Sequence, residues 1–196
     1  MICELKGEIF HFLDHVFPVP EPTTWHHCER YILHAQTCAT LIDQWEISSI
    51  EANRLLNNAG HYLYDHAQYA QAESLYQQAL SICEHWLGPN YYYTAFCLSN
   101  LATLYYEQGR YAKAERLFQR ALSIYEMVLE PTHPNKALCL NNLAMLYKEQ
   151  GKFAEAKLFY QRALSIYVHL LGPNHSTTTS VRNNYASLLQ KLQGEQ

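Results

Sequence analysis

The sequence predicts an all-α fold, a solenoid of stacked antiparallel helix pairs. Three observations lead there. The stretch "SNLATLYYEQGRYAKA" (Ser99 to Ala114) returns as the near-copy "NNLAMLYKEQGKFAEA" (Asn141 to Ala156), and Asn58, Asn100, Asn142 and Asn184 mark one register, each 42 residues from the next. Apolar residues within each unit recur at i, i+3 and i+4, as on one face of a helix. Glycine and proline are scarce, with 7 of each in 196 residues, too few for a turn-rich β protein.

The elements follow in order. Residues 1–22 hold an apolar helix, expected over 3–17 with Leu5, Ile9, Phe10, Leu13 and Phe17, and the linker "PVPEPTT", whose prolines break any helix. Residues 23–56 hold a diverged half-repeat and the entry to the first repeat. The half-repeat helix spans 26–46, with Leu33, Leu41, Ile42 and Trp45 on an apolar stripe. Full repeats occupy 57–98, 99–140 and 141–182, and a partial fourth, a capping helix, occupies 183–196. The apolar face of residues 3–17 needs cover. It folds back over Leu33, Leu41 and Trp45, pairs with a second copy of the chain, or packs on another domain.

Each repeat is read as two helices. The first carries Leu101, Leu104 and Tyr105 and ends at Gly109, as its successor ends at Gly151. Glycine accepts the left-handed conformation that closes a helix. Ala67 stands at that place in the first repeat, and Gly60 stands where Ala102 and Ala144 stand, so the first turn is a departure from the pattern. The second helices start near 68, 110 and 152. Ala114 and Ala121 allow close helix approach, and Phe118 fills the space between. "LGPN" at 87–90 and 171–174 ends the second helix, and Asn90, Thr132 and Asn174 are the expected N-caps of the helices that follow. A single pair cannot bury its stripe, but stacked pairs bury one another's.

Composition excludes several classes. A net charge of −4 leaves no basic excess for nucleic acid. No apolar run is long enough to span a bilayer, and Glu4, Glu8 and Asp14 spoil any secretory signal. The six cysteines form no Cys-x-x-Cys pair and sit in helical stretches as small buried hydrophobes, which points to a reduced, cytoplasmic setting. Cys97 and Cys139 share a column, and packing explains their recurrence. His11 and His15 are one helical turn apart, and His26, His27, Cys28 and His34 cluster, yet no third ligand follows at a fixed spacing. No phosphate-cradling Gly-x-x-x-x-Gly-Lys-Ser/Thr loop occurs. Neither a Cys–His nucleophile nor a His-Glu-x-x-His motif has a local signature. The expectation is a protein with no catalytic residues, no metal and no cofactor.

The alternation of small and large residues, with "YQRALSIY" and "LGPNH", resembles the tetratricopeptide repeat in its 42-residue form, that of kinesin light chains and their bacterial relatives. The resemblance covers about residues 57–193. It implies a right-handed superhelix whose first helices line a concave face, with the column Asn58, Asn100, Asn142 and Asn184 hydrogen-bonding the backbone of a bound peptide. An amide both donates and accepts, which suits that task. Asn57, Asn141 and Asn183 are expected beside this ladder, and His61, Tyr64, Tyr106 and Lys148 about a turn further along. The competing reading is that the amides tie helix to helix. The segment "FPVPEPTTWHHCERYILHAQTCATLIDQW" also resembles the lead-in to the repeats of bacterial NB-ARC signalling ATPases.

The function expected is therefore a non-catalytic protein-interaction scaffold that binds a peptide segment on its concave face. The alternative is a regulatory or sensor segment of a larger signalling ATPase that packs on another domain or self-associates. Too few basic residues line the expected groove to clamp an acidic peptide tail.

Overall fold

The computed structural model describes residues 17–194, and every regular element among them is an α-helix. In chain order these are α1 (Trp25–Gln44), α2 (Ile50–Asp65), α3 (Tyr69–Trp86), α4 (Tyr92–Glu107), α5 (Tyr111–Val128), α6 (Pro134–Glu149), α7 (Phe153–Leu171) and α8 (Ser176–Gly194). The first helices of successive pairs, α2, α4, α6 and α8, begin one 42-residue period apart at 50, 92, 134 and 176. The second helices begin at 69, 111 and 153, one residue beyond the expected starts. Boundaries at 57, 99, 141 and 183 fall inside the first helix of each pair, because the asparagine column marks mid-helix rather than helix start. The apolar helix expected over 3–17 lies outside the described residues except for Phe17.

The turn inside each pair is one motif written three times. Gly109 and Gly151 have φ of +70° and +75°, and Ala67 adopts +56° in the same place. The following residue donates its N–H five residues back in each case: Gln68 to Leu63, Arg110 to Tyr105 and Lys152 to Tyr147, all at 2.8 Å. The first turn thus copies the later ones despite lacking the glycine.

The N-caps sit one residue later than expected. Ser49 Oγ accepts from the Ala52 N–H at 3.1 Å. His133 Nδ1 accepts from Asn135 at 3.2 Å, and His175 Nδ1 accepts from Thr177 at 3.2 Å. Imidazole nitrogen does the work expected of Thr132 and Asn174, since the helices start at 134 and 176. A second column, invisible as a motif, ties α4, α6 and α8 each to the end of the helix before it. Thr94 Oγ1 donates to the Gly88 carbonyl at 2.8 Å, Lys136 Nζ to Leu129 at 3.1 Å and Thr178 Oγ1 to Tyr167 at 3.4 Å. All three side chains are buried, so these bonds satisfy helix-end carbonyls where water does not reach.

The chain divides into two compact units, Met1–Leu104 and Tyr105–Gln196. In the first, α1 packs on α2 and α2 on α3. Leu55, Leu56, Leu63, Tyr76 and Leu98 fill its interior, and Phe17 meets the Tyr62 ring edge-on at 6.5 Å between centroids. Gly60 has a steric purpose: a Cβ there would lie 2.8 Å from the Tyr76 ring. In the second unit α5 packs on α6, α6 on α7 and α7 on α8, around Phe118, Ile124, Leu140, Leu146, Tyr160 and Leu188. The aligned alanines Ala114, Ala121, Ala156 and Ala163 are all fully buried, as close helix approach requires.

The stripe expected on α1 is corrected. Leu33 is 72% exposed and Trp45 is 40% exposed. The buried face is Cys28, Ala35, Cys38, Ala39 and Ile42. Leu33 shares a column with Leu75, which is buried where α1 lies beside α3. No described helix covers the corresponding side of α1.

Candidate interaction face and a buried amide–thiol network

Within the first unit, α2 and α4 run side by side and are joined by asparagines. Asn100 Nδ2 donates to Asn57 Oδ1 at 3.0 Å. Asn57 Nδ2 in turn donates to the Asn53 carbonyl at 2.9 Å and to Asn53 Oδ1 at 3.1 Å. Asn53 Nδ2 reaches the Ala79 carbonyl at 2.8 Å and the Cys83 sulfur at 3.0 Å. Asn53 and Asn57 are 5% and 4% exposed. Asn57 therefore does not stand beside the ladder as a peptide contact. Its amide is spent inside the protein, tying first helices together and serving a buried thiol pair.

The ladder residues themselves are all half-buried: Asn58, Asn100, Asn142 and Asn184. Asn100 commits its donor to Asn57. Asn142 Oδ1 accepts from Asn141 Nδ2 at 3.3 Å. Asn141 is buried, its Nδ2 also approaches the Met145 sulfur at 3.5 Å, and its Oδ1 has no hydrogen-bond partner among the described residues. Asn183 is exposed.

Around Asn58, His61 and Tyr64 stack with centroids 6.2 Å apart, and His61 Nδ1 lies 3.7 Å from Asp65. In the second unit Tyr106 lies 5.8 Å from the Tyr111 ring, and Lys148 Nζ donates to Ser187 Oγ at 3.3 Å, joining α6 to α8. Burial, reinforced by the Glu149 carboxylate, pushes the Tyr106 phenol up to about 12, so it is a neutral donor at physiological pH. Each unit thus presents first-helix side chains that offer amides and aromatic faces, and Lys148 is the one cation among the candidates.

Asn53 carries no repeat signal. Its column holds Ala95 and Ala137, while the Cys83 column holds Tyr125 and Tyr167. The first repeat has exchanged a small residue for an amide and a buried ring for a thiol. That double departure from the columns is the trace the network leaves in the sequence.

Among the described residues no three His, Cys, Asp or Glu side chains gather into a metal-holding group, and no helix is long and apolar enough to cross a membrane.

This geometry defines a tetratricopeptide-repeat architecture, and the family comparison agrees. The Tetratricopeptide repeat model matches residues 51–127 and 105–168, more than half of the chain, so the protein belongs to that family. Among solved structures, BtubC (BKLC) from P. vanneervenii is 25% identical with a TM-score of 0.66, over 86% of this chain and 65% of that one. The chain therefore spans slightly under two thirds of that relative. A Podosopora anserina putative kinesin light chain with nearly identical repeats is 15% identical, with a TM-score of 0.69 over 95% of this chain and 84% of that one. The first repeat domain of Spaghetti (RPAP3), bound to the HSP90 peptide SRMEEVD, is 18% identical, with a TM-score of 0.55 over 74% of this chain and 96% of that one. A comparison with curated proteins found no match.

Proposed function

We propose that the chain is a non-catalytic protein-interaction module whose first helices bind a peptide segment on their concave face. The observation that carries this reading is the asparagine column. Asn58, Asn100, Asn142 and Asn184 are half-buried on successive first helices, where an amide is dry enough to gain from a hydrogen bond yet reachable by a ligand. Asn58 and Asn184 make no side-chain hydrogen bond among the described residues, which leaves both ends of each amide for a peptide backbone. His61, Tyr64 and Tyr106 supply faces for apolar or aromatic peptide side chains. The repeat domain of RPAP3, bound to an HSP90 peptide, supports this reading. With Lys148 as the single cation among the candidate residues, this chain suits a peptide less acidic than SRMEEVD.

The test is affinity capture with the full chain, then titration of the captured peptide against the wild type and against Asn58→Ala combined with Asn142→Ala. The double substitution weakens binding by more than about tenfold, because each lost bond strands a desolvated peptide group at about 1 kcal/mol or more. Melting temperature stays near the wild-type value. Unchanged affinity, or a large loss of melting temperature, would make the column structural.

The alternative is a regulatory segment of a larger signalling protein that packs on another domain or a second copy. Its support is the exposed apolar side chains of the first unit, Leu33 at 72% and Trp86 at 62%. Concentration-dependent light scattering that Leu33→Ser abolishes would favour it.

A further inference from the structure

The buried network surrounds two sulfur atoms. Cys83 on α3 and Cys97 on α4 are fully buried, and their Sγ atoms lie 3.8 Å apart. The Cys97 sulfur also receives the Asn53 and Asn57 amides, each at 3.4 Å. Both amides also have shorter acceptors, and Cys97 Sγ lies 3.9 Å from Asn53 Oδ1, so two thiols and two amides form one connected network. The hydrogen bond from the Cys83 thiol, followed by those from the two amides, holds Cys97 below the ordinary thiol range against the opposing effect of burial. Donation toward Cys97, reinforced by burial, pushes Cys83 up. The Cys83 proton thus lies against a sulfur able to take it.

The remaining described cysteines lack this setting. Cys28 faces the Pro18 carbonyl at 3.9 Å, and burial raises both Cys28 and Cys38. Cys139, in the same column as Cys97, donates to the Phe118 carbonyl at 3.5 Å.

Access comes from a pocket of about 200 Å³ lined by Ser49, Asn53, Cys83, Trp86, Leu87 and Tyr93 among others. A molecule the size of peroxide fits there, since a water takes about 30 Å³ of liquid. We propose that Cys83 and Cys97 are a thiol-oxidation site, which a small peroxide entering this pocket converts to a reversible disulfide between α3 and α4. Cys83, the sulfur that lines the pocket, attacks one peroxide oxygen as its proton passes to the Cys97 sulfur beside it, and the O–O bond breaks. Cys83 becomes a sulfenic acid, and the departing hydroxide takes up a proton as water. The Cys97 sulfur then attacks the sulfenic sulfur. The S–O bond breaks, and the hydroxide that leaves takes the Cys97 proton as a second water. Overall, two thiols and one hydrogen peroxide give one disulfide and two waters. The sulfurs must close to about 2.05 Å, a movement within reach of side-chain rotation between touching atoms.

This site is independent of the peptide reading, and its test uses no ligand. The native full chain is treated with graded hydrogen peroxide, the peroxide is removed with catalase, and the chain is then alkylated with iodoacetamide under denaturing conditions and mapped by mass spectrometry. The expected result is loss of two hydrogens per chain and a peptide pair joining positions 83 and 97. Dithiothreitol reverses the change, and Cys28, Cys38 and Cys139 remain alkylatable. In Cys97→Ser, dimedone tags Cys83, because the second sulfur is missing. Should that variant fail to fold, the wild-type peptide map still decides. Both thiols remaining alkylatable in peroxide-treated, natively helical protein would overturn the proposal. So would a link that forms only after unfolding in urea.

Discussion

Ala67 and Gly60 are out of place in opposite senses. Each departs from its column, and each departure has a physical consequence of known sign. Ala67 is exposed and holds φ at +56°, where an L side chain crowds its own backbone at about 1 kcal/mol. Ala67→Gly is expected to stabilise the protein by about that amount, read as a raised midpoint in urea. Gly60 sits mid-helix, where alanine ordinarily gains about 1 kcal/mol. Here the added methyl would meet the Tyr76 ring at 2.8 Å, and that ring is 2% exposed with no room to retreat. Gly60→Ala is therefore expected to lower stability by about 1 kcal/mol net, because overpacking of a tight core costs more than helix propensity returns. A rise in the urea midpoint of Gly60→Ala would contradict the packing shown.

At the scale of elements, a partly buried ion pair helps to tie the second unit. Lys152, in the turn between α6 and α7, donates to both Glu115 oxygens on α5 at 3.0 Å, and Gln150 donates to Oε2 at 3.0 Å. Burial works to raise the Glu115 carboxyl, but hydrogen bonds from Gln150 and Lys152, with the lysine charge, hold it below the usual range. A carboxyl lowered in the folded state contributes stability above its unfolded pKa, and that stability is lost as pH falls through the folded value. At neutral pH Glu115→Gln should cost about 0.5 kcal/mol, the small figure reflecting solvent screening of a pair that is 42% and 21% exposed. The gap between wild type and variant should close as pH falls below about 4. Urea midpoints measured from pH 7 down to pH 3 test this, and a gap that persists unchanged at pH 3 would mean that the side chain's packing, not its charge, matters.

For the whole molecule, locality is the governing property. Helix packing joins neighbours in the chain and helices one further apart, as α2 with α4 and α6 with α8. Loop-closure entropy is small when contacts are local, so such chains fold quickly. The main refolding phase in stopped-flow fluorescence should be complete within about milliseconds, and a dominant phase on the scale of seconds would argue for longer-range order.

Much of the helical layout was legible in the sequence because its causes are local. The 42-residue period, second-helix starts within one residue of 68, 110 and 152, and the left-handed turns at Gly109 and Gly151 follow from apolar spacing and backbone sterics within a few residues, whereas the turn at Ala67, expected to depart from the pattern, copies the others. The caps at His133 and His175 escaped by one residue, since an imidazole nitrogen caps as a hydroxyl would. Two matters belonged to the tertiary structure alone. Asn57 and Asn58 are adjacent, and the 3.6-residue period turns them only about 100° apart. Which of them is buried depends on where α4 lies against α2. Cys83 and Cys97 are 14 residues apart on different helices, and their columns give each only a packing role. The crossing of α3 and α4 sets their sulfurs in contact. The sequence by itself determined the repeating helices and where they turn. The tertiary structure decided which asparagine faces inward and which thiols meet, because both depend on the placement of one helix against another and not on any local spacing.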